Sequence, residues 1–167
     1  VMAITASNIP TSTMKATKSF EATVTVQESR GVNEENVVAK VYMGEEVIGT
    51  SEAVTVEANE TKQITITATP TMAATEGAQM HIEVEWFGGT LSTTPVTRYV
   101  AEFVTLALTE TEEQEISTGY SAVYDEVTLT RSFVKGWNTL VTPVAVSLSE
   151  FGEDAVAYTF SEYANST

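Results

Sequence analysis

His81, Glu83 and Glu85 are the residues of this chain whose types and spacing could support acid–base chemistry. Residues two apart on a strand share a face, which would place the two carboxylates about 6 to 7 Å apart, within the range used by glycosidases. His81, the only histidine, could act beside them as a base. However, no nucleophile and no G-x-S-x-G motif accompany it, and no apolar surroundings would raise the pKa of either carboxyl. We therefore predict a solvated strand face and no enzyme activity.

Metal ligands are restricted to oxygen, because the chain has one histidine and no cysteine. Calcium is the ion that such ligands would suit. Partial coordination could come from two acidic groups, Glu150 with Glu153 and Asp154, or Asp125 with Glu126. Neither follows the D-x-D-x-D-G pattern, and acidic loops need no ion to explain them in a chain of net charge −15. The sequence predicts neither a metal nor another cofactor.

Trp137 is the candidate ligand-binding residue. It directly follows Lys135-Gly136, a turn signal between an alternating run at 127–132 and a second apolar run at 138–141. A ring displayed at the edge of this hairpin could stack on a sugar or anchor a protein interface. Burial beneath the hairpin explains the same tryptophan equally well, since aromatic residues dominate the packing of sandwich cores. We favour burial and keep ligand binding as the alternative.

The elements that would position these residues are strands. Residues 1–108 consist of short runs in which apolar and polar residues alternate, separated by turn-rich segments, and no helical period occurs. The apolar faces are Phe20, Ala22, Val24 and Val26; Val37, Ala39, Val41 and Met43; Ile64, Ile66 and Ala68; and Met80, Ile82, Val84 and Trp86. A polar loop is expected at 28–36 and a last strand at 96–108. This pattern predicts an all-β fold, an antiparallel immunoglobulin- or fibronectin-like sandwich.

Residues 109–118, TETEEQEIST, form the predicted boundary between two domains. This segment is polar and acidic, as a linker or a long surface loop would be. Beyond it, residues 119–167 carry three strand candidates, at 122–133, 138–146 and 155–160, and a possible helical turn at 147–151. Three strands are too few to close a domain alone. We expect a smaller β-rich C-terminal domain that packs on the first one or is incomplete here.

Composition excludes two classes of partner. Eight basic residues against 23 acidic ones leave little positive charge to neutralise nucleic-acid phosphate or anionic lipid. No apolar run approaches 18 residues, so we expect no membrane insertion by this segment. The first residue is not an initiator methionine, and we expect the chain to be part of a longer protein.

A short segment near the C-terminus is similar to one in a known class of proteins. Arg131, Phe133, Gly136-Trp137-Asn138-Thr139-Leu140 and Pro143 match the pattern R-x-F-x-x-G-W-N-T-L-x-x-P-F, followed by Phe151-Gly152, with Val144 in place of the final phenylalanine. The segment resembles one found in modular cell-surface proteins of Bacteroidota, of the Bacteroides and Prevotella type. The resemblance covers roughly residues 120–160 and implies an extracellular or cell-surface location. It implies no catalytic residue.

Three functions are consistent with these features. The first is a non-catalytic module that mediates adhesion or binds a glycan or a host or surface protein. The second is a structural spacer that holds another domain away from the cell. The third is an accessory domain of a secreted glycan-degrading enzyme. Fold analogy alone favours the first.

Overall fold

β-strands follow one another through the residues that the computed structural model describes, which are 1–109, 124–130, 132, 147–151 and 156. The strands are Met2–Asn8 (β1), Met14–Lys15 (β2), Phe20–Glu28 (β3), Glu34–Met43 (β4), Glu46–Thr50 (β5), Val54–Val56 (β6), Thr61–Ala68 (β7), Ala74–Trp86 (β8), Gly89–Ser92 (β9), Val96–Ala101 (β10), Thr105–Thr109 (β11) and Glu126–Thr130 (β12). A 3-10 helix at Leu148–Phe151 confirms the predicted helical turn.

The first ten strands form one sheet that curls into a sandwich. Its order is β1-β3-β7-β5-β4-β8-β10-β2, with β6 also pairing with β4 and β9 with β8. All these pairs are antiparallel except β2 with β10. A bridge between Gly49 of β5 and Ala68 of β7 joins the β1-β3-β7 layer to the rest of the sheet. The predicted all-β, immunoglobulin-like antiparallel sandwich is confirmed, and β11 with β12 forms a second, smaller sheet.

The core follows the alternation read from the sequence. Every second side chain is buried over 22–28 in β3, 37–41 in β4, 64–68 in β7 and 80–84 in β8. The fully or almost fully buried apolar ones include Ala22, Val24, Val26, Val37, Ala39, Val41, Ile64, Ile66, Met80, Ile82 and Val84. Trp86 and Met43 are partly buried against this cluster. Burying a branched aliphatic side chain stabilises a fold by about 1.5 to 3 kcal/mol, so this shared apolar face holds the two layers together.

Gly49 is the residue at which the two layers meet most closely. A Cβ at this position would lie 2.5 Å from the carbonyl oxygen of Thr67 and 2.7 Å from the Cα of Ala68. These distances are shorter than any real Cβ contact, and the atoms are backbone atoms that cannot rotate away. Glycine is therefore required for β5 to approach β7, and this approach closes the sandwich along one side.

Two predicted boundaries are wrong. The expected strand at 96–108 is interrupted at 102–104, because the backbone N–H of Val104 donates to the side chain of Asp125 and its carbonyl accepts from the N–H of Asp125. The expected polar loop at 28–36 is shorter at both ends: Glu28 is the buried last residue of β3, and β4 already begins at Glu34. At 102–104 hydrogen bonds to a distant residue end a strand that the local pattern would continue, and at 28 burial extends a strand into a segment of polar composition.

The described chain divides into two compact units, Val1–Leu129 and Thr130–Thr167. The predicted acidic linker at 109–118 lies outside the described residues except for Thr109. The predicted domain boundary therefore remains a prediction.

Candidate functional site

The three residues singled out for acid–base chemistry lie together on the outer face of β8. Tyr42 pairs with His81 and Lys40 with Glu83 across the β4–β8 ladder. The rings of Tyr42 and His81 are stacked, with centroids 4.8 Å apart and an interplanar angle of 7°. His81 Nε2 lies 3.5 Å from Glu83 Oε1. The prediction of one shared face is confirmed.

Each carboxylate on this face is engaged by a neighbouring side chain. The Lys40 ammonium donates to Glu85 Oε2 at 2.7 Å, and this hydrogen bond raises the pKa of Lys40. The Ser92 hydroxyl donates to Glu83 Oε1 at 3.5 Å. Burial, followed by the nearby charge of Glu83, raises the pKa of Tyr42, so its phenol stays protonated at neutral pH. The result is a polar ladder in which opposite charges and rings stabilise one another across strands.

Asp125, one of the proposed calcium ligands, has a structural partner for each carboxylate oxygen. Oδ2 accepts the N–H of Val104 at 2.8 Å, and Oδ1 lies 2.9 Å from the Lys15 ammonium. The hydrogen bond from Val104, followed by that from Lys15, lowers the pKa of Asp125. Among the described residues no group of three or more histidine, aspartate or glutamate side chains is placed to hold a metal ion.

The remaining sequence candidates cannot be placed in the fold. Trp137, Glu153 and Asp154 lie outside the described residues, as does the side chain of Glu150. The predictions that Trp137 binds a ligand or is buried, and that the acidic group at 150–154 coordinates calcium, therefore remain predictions.

Glu28 is a buried charged residue that the sequence analysis did not single out. Its side chain is fully buried at the end of β3. The carboxylate accepts hydrogen bonds from the backbone N–H groups of Arg30 and of Gly31 (2.9 Å), and from that of Asn59, 31 residues along the chain (3.1 Å). The backbone nitrogen of Val1 also donates to it, at 3.2 Å. One buried carboxylate thus orders both the β3–β4 loop and the β6–β7 turn.

The electrostatics of Glu28 follow from this arrangement. Burial alone would raise its pKa, because it disfavours the charged form. The backbone hydrogen bonds from Arg30, Asn59 and Gly31 outweigh burial and lower the pKa of Glu28 to about 2. The carboxylate is therefore charged at neutral pH, and its negative charge is balanced by N–H dipoles. The two-residue period of β3 could have predicted that Glu28 is buried, because Ala22, Val24, Val26 and Glu28 occupy one face.

Three connections lie at the same end of the sandwich as Glu28, and we call this end the Glu28 end. They are the β3–β4 loop at 29–33, the β6–β7 turn at 57–60 and the β8–β9 turn at 87–88. The registers place them together, because Gln27 pairs with Thr61, Glu34 with Val56 and Val38 with Glu85. Loops at one end of a rigid sandwich are where such folds usually carry binding residues.

Phe87 is fully exposed at the tip of the β8–β9 turn. Its neighbour Trp86 is half-buried against the core and pairs with Gly89 across the hairpin. A Cβ at Gly88 would lie 2.5 Å from Trp86 Nε1, so glycine is needed for the indole to cover the turn. The tip is therefore a short turn in which Trp86 packs against the core and Phe87 is exposed to solvent. On the β3–β4 loop, Val32 is half exposed.

No helix in the described part of the chain is long and apolar enough to span a membrane. No protein-family model and no curated protein sequence matches the chain. Among solved structures, the fold is similar to the ASH / PapD-like domain of human CEP192 (PapD-like domain 7), with a TM-score of 0.39 and 11% identity over 60% of this chain and 85% of that one.

Proposed function

We propose that this chain is a non-catalytic extracellular module of a bacterial surface protein, which binds a glycan or a surface protein through its Glu28 end. The observation that carries the proposal is the fully exposed ring of Phe87 on a braced hairpin tip. Leaving such a ring in water forgoes about 1.5 to 3 kcal/mol of burial free energy. A ligand that covers the ring recovers this free energy on binding.

The surroundings of Phe87 suit recognition better than chemistry. An aromatic face can stack on a sugar ring or enter an apolar pocket of a protein partner. Glu28 orders the neighbouring loop and turn before any ligand arrives, which lowers the entropy cost of binding. The titratable residues on the outer face of β8 are paired with one another, as described above. The similarity of residues 131–143 to Bacteroidota surface proteins supports the extracellular location.

A screen of the full chain on a glycan array and on an array of purified surface proteins tests the proposal. We expect saturable binding to at least one class, and we expect Phe87→Ala to remove it. Absence of binding to every member of both arrays would contradict the proposal and favour the structural spacer. Binding that tolerates Phe87→Ala would place the ligand elsewhere, with Trp137 as the next candidate.

An accessory domain of a glycan-degrading enzyme is a special case of the same binding function. It differs in that its ligand would be the polysaccharide substrate of an attached catalytic domain. Exclusive binding to one polymeric glycan on the array would favour it, whereas binding to a protein would favour adhesion.

A further inference from the structure

We propose that β7 accepts an extended peptide as an added strand along the edge that faces away from β3. This inference concerns a different site from the Phe87 tip and goes beyond the function proposed above. It rests on the direction of the backbone N–H groups, on a groove beside them and on the composition of the strand edge.

The register of β7 determines which backbone groups point toward the open edge. The N–H of Glu28 donates to the carbonyl of Glu60, and Phe20 is in register with Ala68, so even-numbered residues of β7 bond to β3. On the other side, the N–H of Thr69 donates to the carbonyl of Ile48 of β5. The N–H and C=O groups of Gln63 and Thr65 therefore point away from β3. Among the described residues, no strand pairs with them there, because β5 reaches β7 only at Gly49.

A groove of about 390 Å³ runs beside this edge. Gln63, Ile64 and Thr65 line one side, and Thr50, Glu52 and Val54 line the other. At one end the Gly49–Ala68 bridge closes it. At the other end the Lys62 ammonium donates to the carbonyl of Thr55 at 2.7 Å, linking β7 to β6. About five residues of an extended chain fit between these closures, at roughly 3.3 Å per residue.

The edge itself lacks the features that normally prevent strand addition. Natural edge strands carry charged residues, prolines or bulges that block pairing. Residues 63–67 read QITIT, with no charge, no proline and a high content of β-branched residues. The site offers backbone donors and acceptors at the strand period, which is what strand addition requires, and Val54 is the partly exposed apolar side chain beside them.

Charge indicates the chemistry of the peptide. Glu52 lines the groove, the Lys62 ammonium at its end is paired with Glu60 at 3.5 Å, and the chain as a whole carries a net charge of −15. An incoming strand with lysine or arginine is attracted, and an acidic strand is repelled. The occupant is therefore an extended, basic peptide segment of about five residues with small or β-branched side chains.

The test uses a defined probe of about five residues, the length that fits the groove, an acetylated and amidated peptide in which a threonine stands between two valines and a lysine stands at each end. Titration of the full chain with this probe should show saturable binding. Hydrogen exchange followed by NMR should show that the amides of Gln63 and Thr65, which exchange rapidly in the free chain, become protected. The amides of Ile64 and Ile66, bonded to β3, should be slow in both states. No binding, or protection that avoids Gln63 and Thr65, would overturn the proposal.

Methylation of the peptide nitrogens makes the test specific for strand addition and leaves the protein unchanged. One probe carries an N-methyl group on the threonine, and another carries N-methyl groups on the two valines. Only one edge of the peptide faces β7, so one of the two probes should bind at least tenfold more weakly, while the other keeps its affinity. Equal affinity of all three peptides would exclude a hydrogen-bonded strand and overturn the proposal.

Three protein variants complete the test. Glu52→Lys should weaken binding severalfold, and Glu21→Lys, a matched charge reversal on the outer face of β3, should not. Phe87→Ala should leave peptide binding intact, which separates this site from the proposed Glu28-end function. If the free chain forms dimers in which Gln63 and Thr65 are already protected, the edge binds a second copy of the chain, and the proposal is wrong.

Discussion

The carboxylate of Glu28 accepts a hydrogen bond from the backbone N–H of Asn59 at 3.1 Å, although 31 residues separate them. Asn59 adopts a left-handed conformation, with φ of 60°, in the turn between β6 and β7. Asparagine tolerates this conformation better than most residues. The contact ties that turn to the β3–β4 loop, so the order of two loops at the Glu28 end depends on one charged side chain.

Acid should selectively destabilise this end of the sandwich. The folded-state pKa of Glu28 is lowered to about 2 from a reference value of 4.5. A depressed pKa contributes stability that is present above the unfolded pKa and is lost as pH falls through the folded one. We therefore expect the Tm to fall between about pH 4.5 and 2, with the amides of Arg30, Gly31 and Asn59 losing exchange protection first.

Glu28→Gln is the variant that checks this pH dependence. The amide is nearly the same size but has no charge, and it cannot accept all the N–H groups that the carboxylate accepts. The variant should have a lower Tm at neutral pH, and the difference from the native chain should shrink toward pH 2. Glu21→Gln, at an exposed position on the same strand, serves as the control. A difference that is constant with pH would contradict the assignment.

Closure of the sandwich at Gly49 predicts a steric effect. Gly49→Ala would place a Cβ against the backbone of Thr67 and Ala68, and forcing such a contact typically costs about 1 to 3 kcal/mol. Gly49 does not have a positive φ, so backbone conformation adds nothing to this cost. Urea denaturation measures the free energy of unfolding. The exposed neighbour Thr50→Ala should change it by less than about 0.5 kcal/mol, and equal effects of the two substitutions would reject the steric explanation.

Trp137 remains a sequence-based prediction with a direct test. If the ring is buried beneath its hairpin, Trp137→Ala should reduce the stability of the C-terminal part by about 3 to 5 kcal/mol, the usual cost of removing a buried large aromatic side chain. Thermal denaturation followed by circular dichroism would detect this loss. A change below about 0.5 kcal/mol would reject burial and make the ring a candidate ligand platform.

The sequence predicted most of the sandwich because its strands are amphipathic. Val24 in β3, Val41 in β4 and Ile82 in β8 occupy the apolar faces that alternation assigns to them. The period also placed His81 and Glu83 on one face. These features depend on residues a few positions apart, which a sequence displays directly.

The features that the sequence did not predict depend on distant partners. Glu28 continues the strand period of β3, but glutamate is rarely buried, and its burial requires a turn 31 residues away that supplies an N–H group. The end of β10 depends on Asp125, whose side chain bonds to Val104. Pairing of β5 with β7 depends on the close approach at Gly49, and from the sequence alone this glycine looks like any other strand glycine.

Comparison of two alanine variants tests the central claim, ligand binding at the Glu28 end, most directly. Phe87→Ala removes the exposed ring of the β8–β9 tip, and Met72→Ala removes an exposed apolar side chain in the loop between β7 and β8, at the opposite end. Both should keep the native Tm, since neither side chain is buried. Against a ligand identified on the arrays, Phe87→Ala should raise the Kd at least tenfold and Met72→Ala should leave it unchanged. An unchanged Kd for Phe87→Ala, with the Tm preserved, would contradict the account.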